Sequence, residues 1–376
     1  PETLIKHAPV AVKYAIFSDL HLLEIGAKQG HFKNWGKARN ELSNSEIYLK
    51  MLDYYDREGY TIVEIGDIED LLTQPPAYGE IWIDFFFDAL LGPYGNYFDY
   101  GFEREQRIHK LINIGLNYQD HYAKLRKFND EGRFIKVIGN HDESLKDPYV
   151  LDVLQKIYRG KLQTYDYLVL DDPAAGPEAK FIMAHGHQYD PYCATGAEDM
   201  IGEVFTESLA WFGSGPDRIW PRNGDAPPGW AGKMKREVGF SNHISMAPSF
   251  LKEENVAFKF RHMDERRVVE EMKRLFTDPA RMPTLVLGHT HEPRDQALTS
   301  DGKGFAYYLN TGSAGLYEQL VWGVEVVNGK GSVHAWFSAA DGTGTVQHRK
   351  MEPTLDGRLV PLESSDDQRN LKQKSE

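Results

Sequence analysis

Cysteine is almost absent from this chain of 376 residues, since Cys193 is the only one. A single thiol excludes an internal disulfide and any metal cluster built from several cysteines. Long apolar runs are missing as well, because no run approaches the roughly 18 to 20 residues that span a bilayer. Mean hydropathy is −0.52. These absences argue against a membrane protein and favour a cytoplasmic location.

Positive charge is the third scarce feature. Lysine and arginine number 43 against 56 aspartates and glutamates, which gives a net charge of −13. Such a surface repels long nucleic acid, because extended polyanions bind mainly through lysine and arginine. A small phosphorylated substrate is compatible with this charge, since a few local cations override the average field. The sequence leaves the oligomeric state open.

Short β-branched and aromatic runs alternate with helical patterns along the first three quarters of the chain. Ser43 and Glu46 form a capping box that predicts a helix start. Strand followed by helix, repeated, predicts an α/β core. After about residue 305 the strands become closely spaced, which predicts a second, mixed or antiparallel sheet packed on the first. The predicted core strands are 14–17, 61–65, 134–138, 181–184 and 284–287, and the later ones are 306–309, 321–327, 333–337 and 345–348.

The same patterns suggest one domain over 10–350 with two additions. The first, at 72–130, is predicted to be a helical insertion in which a single helix buries Ile108, Leu111 and Ile112 with Tyr118, Tyr122 and Leu125. The second, at 189–262, is too long for an ordinary connection and is predicted to form a cap. The polar end, 361–376, is predicted to be a loose tail.

Metal-binding residue types follow all five predicted core strands. Six of the fourteen histidines fall in these short segments. Each motif alone is also typical of a cap or a turn, but that interpretation would have to hold independently at five strand ends. Because the carboxyl ends of strands gather at the edge of an α/β sheet, we expect the segments to meet in one site. They contain Asp19 and His21; Asp67 and Asp70; Asn140, His141 and Asp142; His185 and His187; His289 and His291.

Carboxylate, imidazole and amide oxygen without thiolate suit Mn²⁺, Fe²⁺, Zn²⁺ or Ni²⁺ better than Ca²⁺ or a structural zinc. The donors suffice for two ions. Glycine at each turn (Gly66, Gly139, Gly186 and Gly288) is expected to let the backbone bend sharply off the strand.

In order and spacing, these segments resemble the signature blocks of the calcineurin-like metallophosphoesterase superfamily. The blocks read DxH, GDxxD, GNHD, HGH and GHTH, and they are followed by YLNTGS at 308–313. The resemblance implies a four-layer αββα sandwich of two mixed sheets flanked by helices, with the helical insertions forming a cap. It also implies a dinuclear centre of Mn, Fe or Zn ions along the sheet edges.

The resemblance further implies a role for each residue. Asp67 would bridge the two ions, and Asp70 would steady the loop around it. His141, oriented by Asp142, would act as general acid. His187 would contact substrate or orient His185. One ion would be held by Asp19, His21 and His291, and the other by Asn140, His185 and His289.

These roles imply hydrolysis of a small or medium phosphate monoester or diester. A hydroxide bridging the metals would attack phosphorus while His141 protonates the leaving oxygen. Two alternatives within this class are a nuclease, which the charge disfavours, and a pyrophosphatase acting on nucleotide-sugar lipids, in which arginine would replace His141. A non-catalytic scaffold of the same fold is the alternative from a different class. Aromatic and basic residues of the second insertion, among them Trp211, Trp220, Trp230, Arg218 and Arg222, are candidates for substrate recognition.

Overall fold

A computed structural model describes residues 3–23, 42–71, 95–171, 179–187, 283–291, 293–297, 307–315, 320–338, 345–353 and 359–361. The helices are α1 (Asn44–Arg57), α2 (Gly95–Asn117), α3 (Gln119–Asp130) and α4 (Pro148–Tyr158), with a 3₁₀ turn at Glu143–Lys146. The strands are β1 (Ile5–Pro9), β2 (Tyr14–Phe17), β3 (Thr61–Ile65), β4 (Phe134–Val137), β5 (Thr164–Tyr165), β6 (Tyr167–Asp171), β7 (Ala179–Met183), β8 (Thr284–Leu287), β9 (Pro293–Ala297), β10 (Tyr307–Thr311), β11 (Leu320–Val327), β12 (Lys330–Ser338), β13 (Val346–Pro353) and β14 (Leu359–Pro361).

Within the described residues the strands form two mixed sheets. The eight-stranded sheet has the order β14-β13-β12-β11-β2-β3-β4-β5, and the six-stranded sheet has the order β1-β6-β7-β8-β10-β9. Strands β2, β3 and β4 are parallel, and so are β7 and β8. The prediction that the late strands form a separate second sheet is therefore wrong. β11 pairs antiparallel with β2 and extends the first sheet, whereas β10 pairs with β8 in the other.

Alternation along β2 shows how the layers stack. Tyr14 and Ile16 point into an apolar layer shared with the six-stranded sheet, while Ala15 and Phe17 point toward the helices. Successive residues of a strand face opposite sides of the sheet, so β2 contributes side chains both to the layer between the two sheets and to the layer beneath the helices. The result is an α/β fold of two mixed sheets with helices covering the eight-stranded one. A helical layer on the outer face of the six-stranded sheet is not among the described residues.

The helices confirm some expectations and correct others. Ser43 caps α1 with the predicted capping box, in which its side chain accepts from the Glu46 N–H and the Glu46 carboxylate accepts from the Ser43 N–H. The single helix predicted within 72–130 is two helices, because the backbone breaks at Tyr118 (φ −115°, ψ 38°). Ile112 does not join the buried face and is 42% exposed. Helix α4 was not predicted, although Asp147 as N-cap and Pro148 at the first position are ordinary start signals.

A buried ion triad lies between the eight-stranded sheet and its helices. Lys136 on β4 is opposite Glu64 on β3, and its ammonium lies 3.0 Å from Glu64 Oε2 and 2.8 Å from Glu69 Oε2. All three side chains are fully buried. Tyr122 donates a hydrogen bond to Glu69 (3.0 Å). Buried charged groups need such pairing because water cannot solvate them in the core.

The domain bounds at 10–350 stay a prediction. The cap-like insertion at 189–262 and residues 362–376 of the tail lie outside the described residues. Among the described helices, none combines the length and apolar character that a bilayer crossing requires.

Candidate metal centre

The five motif-bearing loops converge along the edges of both sheets, as the resemblance implied, and not at the edge of a single sheet. Three of the loops follow β2, β3 and β4 of the eight-stranded sheet, and two follow β7 and β8 of the six-stranded sheet. Each loop leaves the carboxyl end of its strand, so the side chains of both sheets point into one space. The predicted ligands all fall in described parts of these loops.

Unusual backbone conformations concentrate at this site. Seven non-glycine residues of the described chain have positive φ, and five of them are predicted ligands. A left-handed conformation costs about 1 kcal/mol or more for such residues and persists only where the surroundings enforce it. The fold therefore holds these side chains in orientations that they would not adopt freely. The five are Asp19 (53°), His21 (46°), Asp67 (55°), His289 (64°) and His291 (56°).

The first cluster consists of Asp19, His21, Asp67 and His291, whose ligand atoms lie within 4.8 Å of one another. His291 Nε2 is 2.8 Å from Asp19 Oδ1 and 3.2 Å from His21 Nε2. His21 Nε2 is also 3.8 Å from Asp67 Oδ2. All four residues are buried, at 3% exposure or less.

The second cluster consists of Asp67, His185 and His289. His185 Nε2 lies 3.0 Å from Asp67 Oδ2, the same oxygen that faces His21 in the first cluster. Asp67 therefore belongs to both clusters, as expected of a bridging carboxylate. Its other oxygen, Oδ1, accepts the His141 N–H at 2.8 Å, which fixes the carboxylate between the two sets of imidazoles.

The donor set suits divalent cations. The Nδ1 atom of His185 faces the Ile65 carbonyl oxygen at 2.9 Å and donates to it, so Nε2, which lies beside Asp67, is the nitrogen that can bind a metal once its proton is displaced. In the same way His21 Nδ1 donates to Asp70 Oδ2 (3.1 Å), which leaves its Nε2 lone pair facing His291. Among the described residues, Asn140 Oδ1 is buried without a hydrogen-bond partner. A divalent metal ion can bind nitrogen and oxygen atoms of this kind, which converge in a site buried away from water.

Two of the turn glycines are required by close packing. A Cβ at Gly66, where φ is +90°, would lie 2.6 Å from Gly139 Cα. A Cβ at Gly139 would collide with Asp67 Oδ1. The strand-end loops thus pack backbone to backbone, and Gly139 keeps open the space that the Asp67 carboxylate occupies.

Several residues that hold Asp19 in place were not assigned a role from the sequence. The Ser18 hydroxyl and the His289 N–H (3.0 Å) both donate to Asp19 Oδ2, so Oδ1 faces His291. Ser313 donates to the Asp19 backbone oxygen at 2.8 Å, and Asn310 Nδ2 donates to the Gly288 carbonyl at 2.7 Å. Ser313 and Asn310 both lie in the YLNTGS segment. The resemblance of this segment to the one that follows the signature blocks was the sequence signal that could have located them near the site.

His141 is oriented by Asp70 and not, as expected, by Asp142. Asp70 Oδ1 accepts from His141 Nδ1 at 3.0 Å while its other oxygen accepts from His21, so one carboxylate orients both rings. Asp142 instead accepts the backbone N–H groups of Gly139 (2.5 Å) and Ile68 (3.2 Å). Its side chain points back under the turn, where it stabilises the loop that carries Asn140 and His141.

His187 lies beside the second cluster, 8% exposed, with its ring 5.5 Å from that of His185. The orienting hydrogen bond of His185 goes to the Ile65 carbonyl, so His187 is not needed for that purpose. The tryptophans and basic residues that the sequence suggested for substrate recognition lie outside the described residues.

The histidines of the two clusters differ in pKa. Burial lowers the pKa of His185, but Asp67 more than compensates and raises it to about 9. Burial alone would raise the pKa of Asp67, yet His185 and His141 hold it well below its usual range. Burial lowers the pKa of His291 to about 4 despite the nearby Asp19, so this ring is neutral, the form that binds metal.

No protein-family model and no curated protein sequence matches this chain. Solved structures to which the chain is similar include calcineurin-like phosphoesterases. One is a dimetal phosphatase from Danio rerio (10% identity, 91% of this chain and 97% of that one, TM-score 0.35). Others are the calcineurin-like phosphoesterase YfkN from Bacillus subtilis (11%, 96% and 96%, 0.33) and a predicted phosphoesterase from Streptococcus pneumoniae (11%, 90% and 97%, 0.30). At these scores the likeness carries no argument about activity, which must come from the site.

Proposed function

We propose that this protein is a metal-dependent hydrolase of phosphoric esters that acts on a small or medium monoester or diester. The observation that supports it most is the pair of buried clusters that share Asp67 Oδ2. A carboxylate common to two sets of imidazoles is the arrangement that holds two ions close together, and phosphoryl transfer uses such pairs.

The chain offers each ion three ligands besides the shared Asp67. Asp19, His21 and His291 would hold one ion, and Asn140, His185 and His289 the other. When bound, two divalent cations of Mn, Fe or Zn lower the pKa of an attacking water and neutralise charge on the phosphoryl group. The rigid loops of both sheets keep these ligands in place before substrate arrives.

His141 is the general acid of this proposal. Burial lowers its pKa, but the charges of Asp70 and Asp67 raise it to about 9, which favours the imidazolium form that a general acid requires. Asp70 holds the Nδ1 proton, which leaves the Nε2 proton for the departing oxygen. Proton donation matters most when the leaving group is a poor one.

Metal content measured by elemental analysis, together with hydrolysis of p-nitrophenyl phosphate and bis(p-nitrophenyl) phosphate, tests the proposal. The protein should bind two ions in this centre and hydrolyse at least one of the two esters, and the ratio of the rates gives the mono- or diester preference. Asp67→Asn should lose both ions and activity. His141→Ala should keep its ions and lose about 10² to 10⁴ in turnover on an alkyl phosphate.

His7→Ala is the matched control, because His7 also pairs with a carboxylate, Asp171 (2.9 Å), on a more exposed surface (61% of its side chain). This variant should change neither metal content nor rate. Tight binding of two ions by Asp67→Asn would contradict the bridging role. A metal-loaded protein that hydrolyses neither ester would favour the non-catalytic scaffold.

A further inference from the structure

A second group of metal-capable side chains lies on the C-terminal strands, and it shares no residue with the centre above. Glu325, His334 and His348 stand on β11, β12 and β13. The register pairs Gly323 with His334 and Trp336 with His348. Glu325 is therefore two residues from Gly323, the partner of His334, and His334 is two residues from Trp336, the partner of His348. All three side chains lie on one face of the sheet, along a diagonal.

The three ligand atoms form a small triangle. Glu325 Oε1 is 2.9 Å from His348 Nε2 and 3.5 Å from His334 Nδ1, and the two nitrogens are 2.9 Å apart. Atoms bound tetrahedrally to one Zn²⁺ at its usual distances are about 3.3 to 3.5 Å from each other. The triangle is thus close to the face of a tetrahedral zinc site.

Protons alone do not satisfy this triangle. If both ring nitrogens carried hydrogen, the two N–H groups would face each other at 2.9 Å. If only His348 Nε2 carried hydrogen, it would donate to Glu325 Oε1 at 2.9 Å, but the His334 Nδ1 lone pair would face the same oxygen at 3.5 Å without a proton between them. If only His334 Nδ1 carried hydrogen, the His348 Nε2 lone pair would face Glu325 Oε1 at 2.9 Å. If neither did, three lone pairs would converge. A cation at the centre satisfies all three contacts at once.

The surroundings hold each ligand in the orientation that such a site needs. Tyr60 donates to the other Glu325 oxygen at 3.0 Å, and Ser332 Oγ lies 3.0 Å from the far nitrogen of His334. The Trp336 ring stacks on His348 with centroids 4.0 Å apart and planes 7° from parallel. These are the outer contacts that fix metal-binding side chains.

Charge and access also agree with a metal site. Burial lowers the pKa of His334 to about 4, which keeps this ring neutral. Burial alone would raise the pKa of Glu325, but the hydrogen bond with His348 is the largest of the effects that lower it, so the side chain is a carboxylate. The side chain of His348 is 20% exposed, so this corner of the triangle is in contact with solvent.

We propose that Glu325, His334 and His348 bind one divalent transition-metal ion, with Zn²⁺ as the best fit to two imidazoles and a carboxylate. This ion ties three antiparallel strands together. Tyr55 of α1 donates to Glu325 Oε1 at 2.8 Å, so the site also connects the sheet to its covering helix. Its role is to stabilise this end of the sheet.

The test counts Zn²⁺ equivalents on the full-length protein after chelation and dialysis against Zn²⁺. His348→Phe keeps a ring to stack on Trp336 but has no ligand nitrogen, and it should bind one equivalent fewer than the wild type. His7→Phe, the control on another sheet, should bind the same number as the wild type. Glu325→Gln should weaken this one equivalent about 100-fold or more. Hydrolytic activity should be unchanged in all three variants.

Failure of this proposal is separable from failure of the proposed function. Asp67→Asn should lose the ions of the dinuclear centre yet keep the one bound by His334 and His348. Equal Zn²⁺ stoichiometry in the wild type and a folded His348→Phe would overturn the site. Should His348→Phe fail to fold, unchanged Zn²⁺ affinity in Glu325→Gln would overturn it equally.

Discussion

Replacing Asp70 by asparagine should separate the orientation of His141 from metal binding. The carboxylate accepts from His141 Nδ1 at 3.0 Å, and of the groups that raise the His141 pKa to about 9 its charge has the largest effect. A hydrogen bond to a charged group is worth about 1.5 to 3 kcal/mol. Since a pKa unit corresponds to about 1.4 kcal/mol, Asp70→Asn should lower the His141 pKa by about one to two units.

The direction of the pH effect follows from the role of His141. A general acid works only while protonated, so the rate falls as pH rises through its pKa. In Asp70→Asn this alkaline limb of kcat should move to lower pH by the same one to two units. The effect should be large for phenyl phosphate, whose leaving group needs a proton, and small for p-nitrophenyl phosphate.

The assay is kcat against pH for both esters, with metal content measured on the same samples because Asp70 also holds His21. Asp142→Asn is the matched control, since its carboxylate contacts the backbone of Gly139 and Ile68. Its alkaline limb should stay in place. A fully metallated Asp70→Asn with an unmoved limb, or an equal loss on both esters, would refute the link between Asp70 and His141.

Three further predictions concern packing and stability. Lys136→Met should lower the free energy of unfolding by about 3 to 5 kcal/mol in urea denaturation, because it leaves two buried carboxylates without their cation, whereas the exposed Lys127→Met should leave it nearly unchanged. Burial lowers the pKa of His121 to about 4 from 6.5, so the unfolded chain binds its proton first as pH falls. Stability should drop by about 3 kcal/mol between pH 6.5 and pH 4, and His121→Gln should lack this part of the drop. Gly139→Ala should displace the Asp67 carboxylate and lower turnover about 100-fold, while circular dichroism should show an intact fold. A wild-type rate in this variant would contradict the packing argument.

The sequence predicted the strands that carry the site more reliably than their partners. Strands β2, β3 and β8 begin and end at the predicted residues, because each is a short run rich in β-branched, aromatic and other apolar residues that is followed by a polar or glycine-containing turn. The two mixed sheets were predicted correctly, but the assignment of the late strands to a sheet of their own was wrong. An apolar run indicates that a strand is buried, but it does not indicate which strand lies next to it. β11, for example, pairs with β2, from which it is separated by most of the chain.

Within the site, adjacency in sequence was a poor guide to side-chain direction. Asp142 is next to His141, yet its carboxylate turns back to the Gly139 N–H, and the contact with His141 comes from Asp70, on the loop after β3. The register that aligns Glu325 with two histidines on other strands was equally hidden. Alternation along β11 and β12 was the available signal, but it does not fix which residues lie opposite each other.

The centre takes ligands from both sheets, and this has a consequence for how the molecule is assembled. Asp19 and His21 come from the first strands of one sheet, while His289 and His291 appear only after residue 283. The centre is complete only when both sheets have packed together, so ions bound as proposed would link the two sheets and favour the folded form. The supply of metal in a cell would then affect how long each molecule resists proteolysis, as well as how fast it hydrolyses its substrate.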